Sequence, residues 1–224
     1  MSLYDISSTS QPTVSVEINK VLRNTYMLLG LTLLFSSAMA GVAMATNAQP
    51  MNIFLLIVGM YGLMFLTMFL QNSALGLVSI FAFTGFMGYS IGPVLNSVVE
   101  NFSNGNQIIM TSLGATGLIF FALSGYVLTT RKDFSYLGGF LFVVASAAML
   151  AIIASIFFPM PALQLGISMA FVLIASGMIL FETSLIINGG QRNYIMATIG
   201  LFIALFNLFI SLLRILTYFG GNRD

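Results

Sequence analysis

Seven apolar runs, each long enough to cross a bilayer, leave this chain few ways to fold. They fall at 26–46, 53–70, 75–95, 108–128, 137–158, 162–187 and 195–219. At a helical rise of about 1.5 Å per residue, roughly 20 apolar residues cover a hydrocarbon layer of about 30 Å. In lipid, backbone polar groups must be satisfied internally, and runs this continuous do so as helices rather than barrel strands. Composition points the same way, with 58% of residues hydrophobic and 6% charged. A soluble fold with so little polar surface could not cover its apolar groups. The expected fold is an all-α integral membrane bundle of seven transmembrane helices spanning 20–224. A polar, Ser/Thr-rich tail, 1–19, is expected to be disordered ahead of it. Small-residue patterns such as Ala38, Met39 and Ala40 could suit signal cleavage. About twenty-five residues precede the apolar core, however, which is long for a signal n-region, so a retained first helix is expected.

The lysines and arginines set the expected orientation. Lys20 and Arg23 precede the first run, Arg131 and Lys132 lie between the fourth and fifth, and Arg192 lies between the sixth and seventh. With seven spans these fall on one side, which the positive-inside rule makes cytoplasmic. The N-terminus is then cytoplasmic and the C-terminus periplasmic. Arg214, near the far end of the seventh run, is expected to snorkel to the headgroups.

Missing residue types exclude much chemistry. The chain has no cysteine and no histidine, which removes thiolate nucleophiles, disulfides, histidine bases and the usual zinc ligands. A retinal Schiff base needs a lysine within a helix, yet Lys20 and Lys132 both lie outside the runs. No catalytic residue, metal site or cofactor is expected. The net charge of +1 suggests no nucleic-acid partner; the partner that composition implies is the lipid bilayer.

In the third run, Gly85, Gly88 and Gly92 precede Pro93. Gly88 and Gly92 make a GxxxG spacing, which lets a neighbouring helix approach closely, so these four positions read as helix packing.

Glu182 is the one acid within a run, about five residues from the basic end of the sixth. An intramembrane acid costs enough to imply a bundle-facing position with a partner or water, and it marks a functional site by default. It is the candidate ion or proton sensor. The alternative is a neutral carboxyl that only fixes packing. Its possible partners are Arg131, Lys132 and Arg192 in loops that could fold over it, and Asn207, the strongest polar neighbour on the seventh run. Thr198 and Gly200 lie at bracketing depths. An aspartyl membrane protease would need a second membrane acid, and none is present.

Six motifs together resemble the Bax-inhibitor-type (TMBIM) membrane family. They are VLRNTY from Val21, GMYGLMFLT from Gly59, FAFTGFMGYSIGPVLN from Phe81, YVLTTRKDFSYLGG from Tyr126, ILFETSLIINGG from Ile179 and NLFISLLRIL from Asn207. More narrowly the chain resembles the bacterial YccA-like branch, described as modulators of FtsH, a membrane-anchored, ATP-dependent zinc protease. The resemblance implies a seven-helix bundle with helix 7 central, in the bacterial inner membrane, that binds and restrains FtsH. Channel-type relatives are proposed to be pH-sensitive calcium leaks with one acid late in helix 6 and another in helix 7. Glu182 matches the first of these positions. The second is Ala204 here, and helix 2 lacks the arginine that those relatives set against the acids. A calcium or cation leak gated at Glu182 is therefore the alternative expectation, with its acid pair broken.

Overall fold

The computed structural model describes residues 11–220, with side chains from residue 16 onward. Among these residues the only regular secondary structure is helix: α1 Gln11–Ala45, α2 Ile53–Leu70, α3 Ala74–Asn101, α4 Gly105–Thr130, α5 Leu137–Phe157, α6 Pro161–Ile187 and α7 Tyr194–Gly220. All seven have windows long and apolar enough to span a membrane. The bundle that composition and family resemblance imply is the one observed.

Local chemistry places the helix ends. Asn52 caps α2, its side chain accepting from the Phe54 N–H at 2.9 Å. Pro161 opens α6, where its missing N–H leaves no helical bond unmade. Past the end of α6, Gly189 takes a positive φ of 74°, and the Gly190 N–H donates back to the Leu185 carbonyl at 2.8 Å. Left-handed backbone at that position suits glycine. Asn193 then starts α7, its side-chain oxygen accepting from the N–H groups of Ile195 and Met196 at 2.9 and 3.2 Å.

Two boundaries differ most from the sequence expectation. Helix α1 begins at Gln11, so the stretch 11–19, read as tail, is helical; the remainder of that tail, 1–10, lies outside the described residues. Pro12 falls in the first turn, where proline is tolerated. Helix α3 runs through Pro93 to Asn101, six residues past the expected end at Leu95. Tertiary contacts hold this polar extension. The Asn96 amide donates to the Met44 carbonyl of α1 at 3.1 Å, and Val98 is buried in a cluster with Ile108 and Leu213.

Helix α7 runs through the middle, packed by α1, α3, α4 and α6, while α2 rides on α3 and α5 on α6. Phe83 of α3 and Phe202 of α7 meet edge-to-face at 6.0 Å in the main core. The α1–α3 interface carries the glycines. A Cβ on Gly85 would meet the Phe35 ring at 2.5 Å, one on Gly88 would strike the Ser36 backbone carbonyl, and one on Gly92 would strike Ala43.

Candidate functional site

The loops bearing Arg131, Lys132 and Arg192 share one end of the bundle with the start of α1, and Glu182 lies just inside that end. It sits five residues before Ile187, about 7–8 Å along the helix axis. Its own side chain is half-buried, while the neighbouring Thr183 and Ser184 are fully buried.

The Glu182 carboxyl lies against Gly200 of α7: a Cβ built on Gly200 would stand 2.5 Å from its carboxyl carbon. Gly200 thus makes the space that the carboxyl fills. The sequence reading placed Gly200 at a bracketing depth but favoured Asn207 as the neighbour. The structure turns Asn207 elsewhere, its amide donating to the Ile203 carbonyl one turn back on α7 at 2.9 Å. Seven residues separate positions 200 and 207, about 10 Å of helix, so Asn207 sits two turns too deep.

The basic partners do not close over Glu182 either. Lys132 donates to the Tyr126 hydroxyl at 3.2 Å and lies 5.8 Å from that ring's centre. Arg131 is the left-handed cap of α4, with φ 52°, and is exposed, as is Arg192. Among the described residues, no hydrogen bond or ion pair joins any of them to Glu182. Each has a solvated or aromatic alternative that avoids carrying a cation inward.

Hydroxyls build the rest of the site. Thr183 is within hydrogen-bonding reach of Tyr26 of α1 at 3.5 Å and Ser124 of α4 at 3.4 Å. Thr198 of α7 donates to the Tyr194 carbonyl at 2.7 Å and reaches the Thr25 carbonyl of α1 at 3.3 Å. Four helices are thereby tied by short side chains that also suit close packing in lipid. The Thr25 hydroxyl itself is buried with no partner among the described residues.

Ser184 anchors the α4–α5 loop. It accepts from the Phe134 N–H at 2.7 Å and from the Asn188 amide at 3.2 Å, and lies 3.4 Å from the Lys132 carbonyl and from Asp133 Oδ1. Asp133 accepts from the Ser135 N–H at 2.8 Å. That bond, with the Ser135 side chain and the Ser184 hydroxyl, holds the exposed Asp133 carboxyl below its ordinary pKa of 3.8. Sequence reasoning missed Ser184 and Asn193. The latter donates from its amide to Gln71 and Asn72, each at 3.0 Å, pinning the α2–α3 turn to the start of α7. The only local signal was an Asn just ahead of an apolar run.

Deeper in, α1 and α4 part over α7 and leave an apolar cleft of about 550 Å³, with Tyr26 and Phe120 among its lining. Its polar contribution is limited to hydroxyls such as Ser36, Ser37 and Thr116; among the described residues no charged side chain lines it. Ala204, where channel-type relatives carry an acid, is buried in the main core. Among the described residues no group of three acids, histidines or cysteines could hold a metal ion.

Residues 18–222 match the family described as "Inhibitor of apoptosis-promoting Bax1". The chain belongs to the Bax inhibitor family. Within that family it is 48% identical, over 98% of both chains, to the protein of Escherichia coli K12 named "Modulator of FtsH protease YccA". A second Escherichia coli relative, at the same identity and coverage, is named "Inner membrane protein YccA". A Pseudomonas aeruginosa protein of uncharacterised function is 52% identical over 92% of both chains. This Bax inhibitor family member is therefore a multi-pass inner-membrane protein.

Proposed function

We propose that this Bax inhibitor family member is a non-enzymatic membrane protein that binds the FtsH protease and restrains its degradation of membrane substrates. The observation that carries this reading is the 48% identity, end to end, with a relative named as a modulator of that protease. The bundle suits the role. Its central helix is packed on all sides and its lateral helices are apolar, so pulling it from the membrane would break one extended core. We place the N-terminus in the cytoplasm and the C-terminus in the periplasm, on the one-sided distribution of Lys20, Arg23, Arg131, Lys132 and Arg192.

Within this function Glu182 is a packing acid matched to Gly200. The rival reading, a calcium or cation leak gated at Glu182, has in its favour that acid's depth and its match to one of the two acid positions of channel-type relatives. The deciding experiment is co-purification with FtsH from native membranes in mild detergent, followed by degradation of a membrane substrate in proteoliposomes with and without this protein. Co-purification and slower degradation support the proposal. No association, together with calcium flux in liposomes holding this protein alone, would replace it with the leak.

A further inference from the structure

At the end of the bundle opposite Glu182, a groove of about 790 Å³ opens sideways, walled by α3 on one side and by α5 and α6 on the other, with α7 as its floor. Arg214, Thr217 and Tyr218 line it from α7. Their i, i+3, i+4 spacing sets all three on one helix face. Arg214 is six residues before Gly220, about 9 Å from the helix end, at the depth where headgroups meet acyl chains. Tyr218, one turn further out, is exposed, as aromatic residues at that boundary commonly are.

The lining changes character across its width. Val94, Ile152 and Leu165 make it apolar, while Arg214, Gln164 and Thr217 supply donors. Among the described residues no carboxylate lines it; Glu100 is exposed on α3 one turn past Ser97 and is not part of the wall. Of the serines that line it, Ser155 donates to the Ile152 carbonyl, Ser168 donates to the Gln164 carbonyl and Ser97 accepts from the Asn101 amide. The Thr217 hydroxyl is buried and makes no hydrogen bond within the described residues. A buried polar atom without a partner is uncommon enough to require one, and here it borders a groove that also holds a guanidinium.

We propose that this groove binds a membrane phospholipid, its phosphate held by Arg214 and Thr217 and its acyl chains against the apolar wall. A guanidinium matches phosphate oxygens in a fork that an ammonium cannot reproduce. The lateral opening admits a ligand from the bilayer, and one face of mixed chemistry fits a molecule that is itself polar at one end.

Native mass spectrometry of the full chain in mild detergent, titrated with phosphatidylglycerol, phosphatidylethanolamine or inorganic phosphate, tests this. The proposal expects one lipid retained per chain, with Arg214→Gln weakening retention by about tenfold or more, since one charge-assisted contact is lost. Thr217→Val should weaken it severalfold, and Arg214→Lys should fall between wild type and Gln. Should Arg214→Gln fail to fold, judged by its melting curve, the Thr217→Val and Gln164→Ala variants carry the comparison. Unchanged retention in the folded variants overturns the proposal. So does inorganic phosphate displacing the lipid at equal concentration, which would make this a free-anion site.

Discussion

The carboxyl group of Glu182 on α6 occupies the space that a side chain on Gly200 of α7 would need. Neither position explains itself alone. An acid near the end of an apolar run costs free energy, and a glycine inside a helix costs about 0.5–1 kcal/mol relative to alanine. Together they let α6 and α7 pack closely at the end where their connecting loop turns.

Gly200→Ala should therefore destabilise the protein by about 1–3 kcal/mol through overpacking. In a Glu182→Ala background the same change should cost little, because the displaced group is gone. Melting curves of the two single variants and the double variant give the coupling directly. Additive effects would show that Gly200 does not house the carboxyl.

Glu182→Gln keeps nearly the same shape and should fold as wild type does, with protease modulation intact. If Gln folds normally but modulation is lost, the acid's ability to ionise matters and the packing role fails.

Gly88→Ala should be costly for a different reason, since its Cβ would strike the Ser36 backbone carbonyl rather than a movable side chain. The expected loss is about 1–3 kcal/mol. Gly30→Ala and Gly114→Ala meet open space and should be neutral or stabilising by about 0.5–1 kcal/mol. Equal effects at Gly88 and Gly114 in thermal melts would dismiss the close α1–α3 approach.

Ser184→Ala should loosen the α4–α5 loop by removing the acceptor of the Phe134 N–H, faster amide exchange at Phe134 being the readout. Asp133 adds a pH term to that loop. Its carboxyl is held below 3.8 in the folded protein, so its contribution is complete above the unfolded value and fades as pH falls through the folded one. The loop's exchange protection, measured relative to the intrinsic rate at each pH, should fall below about pH 4 in the wild type, and Asp133→Asn should flatten that dependence.

Reporters fused at Met1 and after Asp224 should behave as cytoplasmic and periplasmic respectively. Both on one side would contradict the orientation proposed from the basic loops.

Helix positions were legible because hydropathy over roughly twenty residues is a local quantity, and lipid leaves the backbone no alternative to helix. Four runs, 53–70, 137–158, 162–187 and 195–219, have observed ends within a residue of those read from sequence. Helix α3 was cut short at Leu95 because Asn96, Ser97 and Glu100 end the apolar pattern. What continues the helix is non-local: an amide reaching α1 and Val98 packing on α4 and α7.

The sequence by itself determined a seven-span helical bundle, an acid within the sixth span and a chemistry without thiols or imidazoles. Only the tertiary structure decided what that acid touches. Depth along a helix can be counted from its ends, but rotation about the axis and the register between antiparallel neighbours are set by how whole faces pack. Asn207 was the more polar choice and lies two turns too deep. Gly200, with no side chain to advertise a role, is the residue beside Glu182, because in a close-packed interior the space a residue leaves open is as specific as the bond another could make.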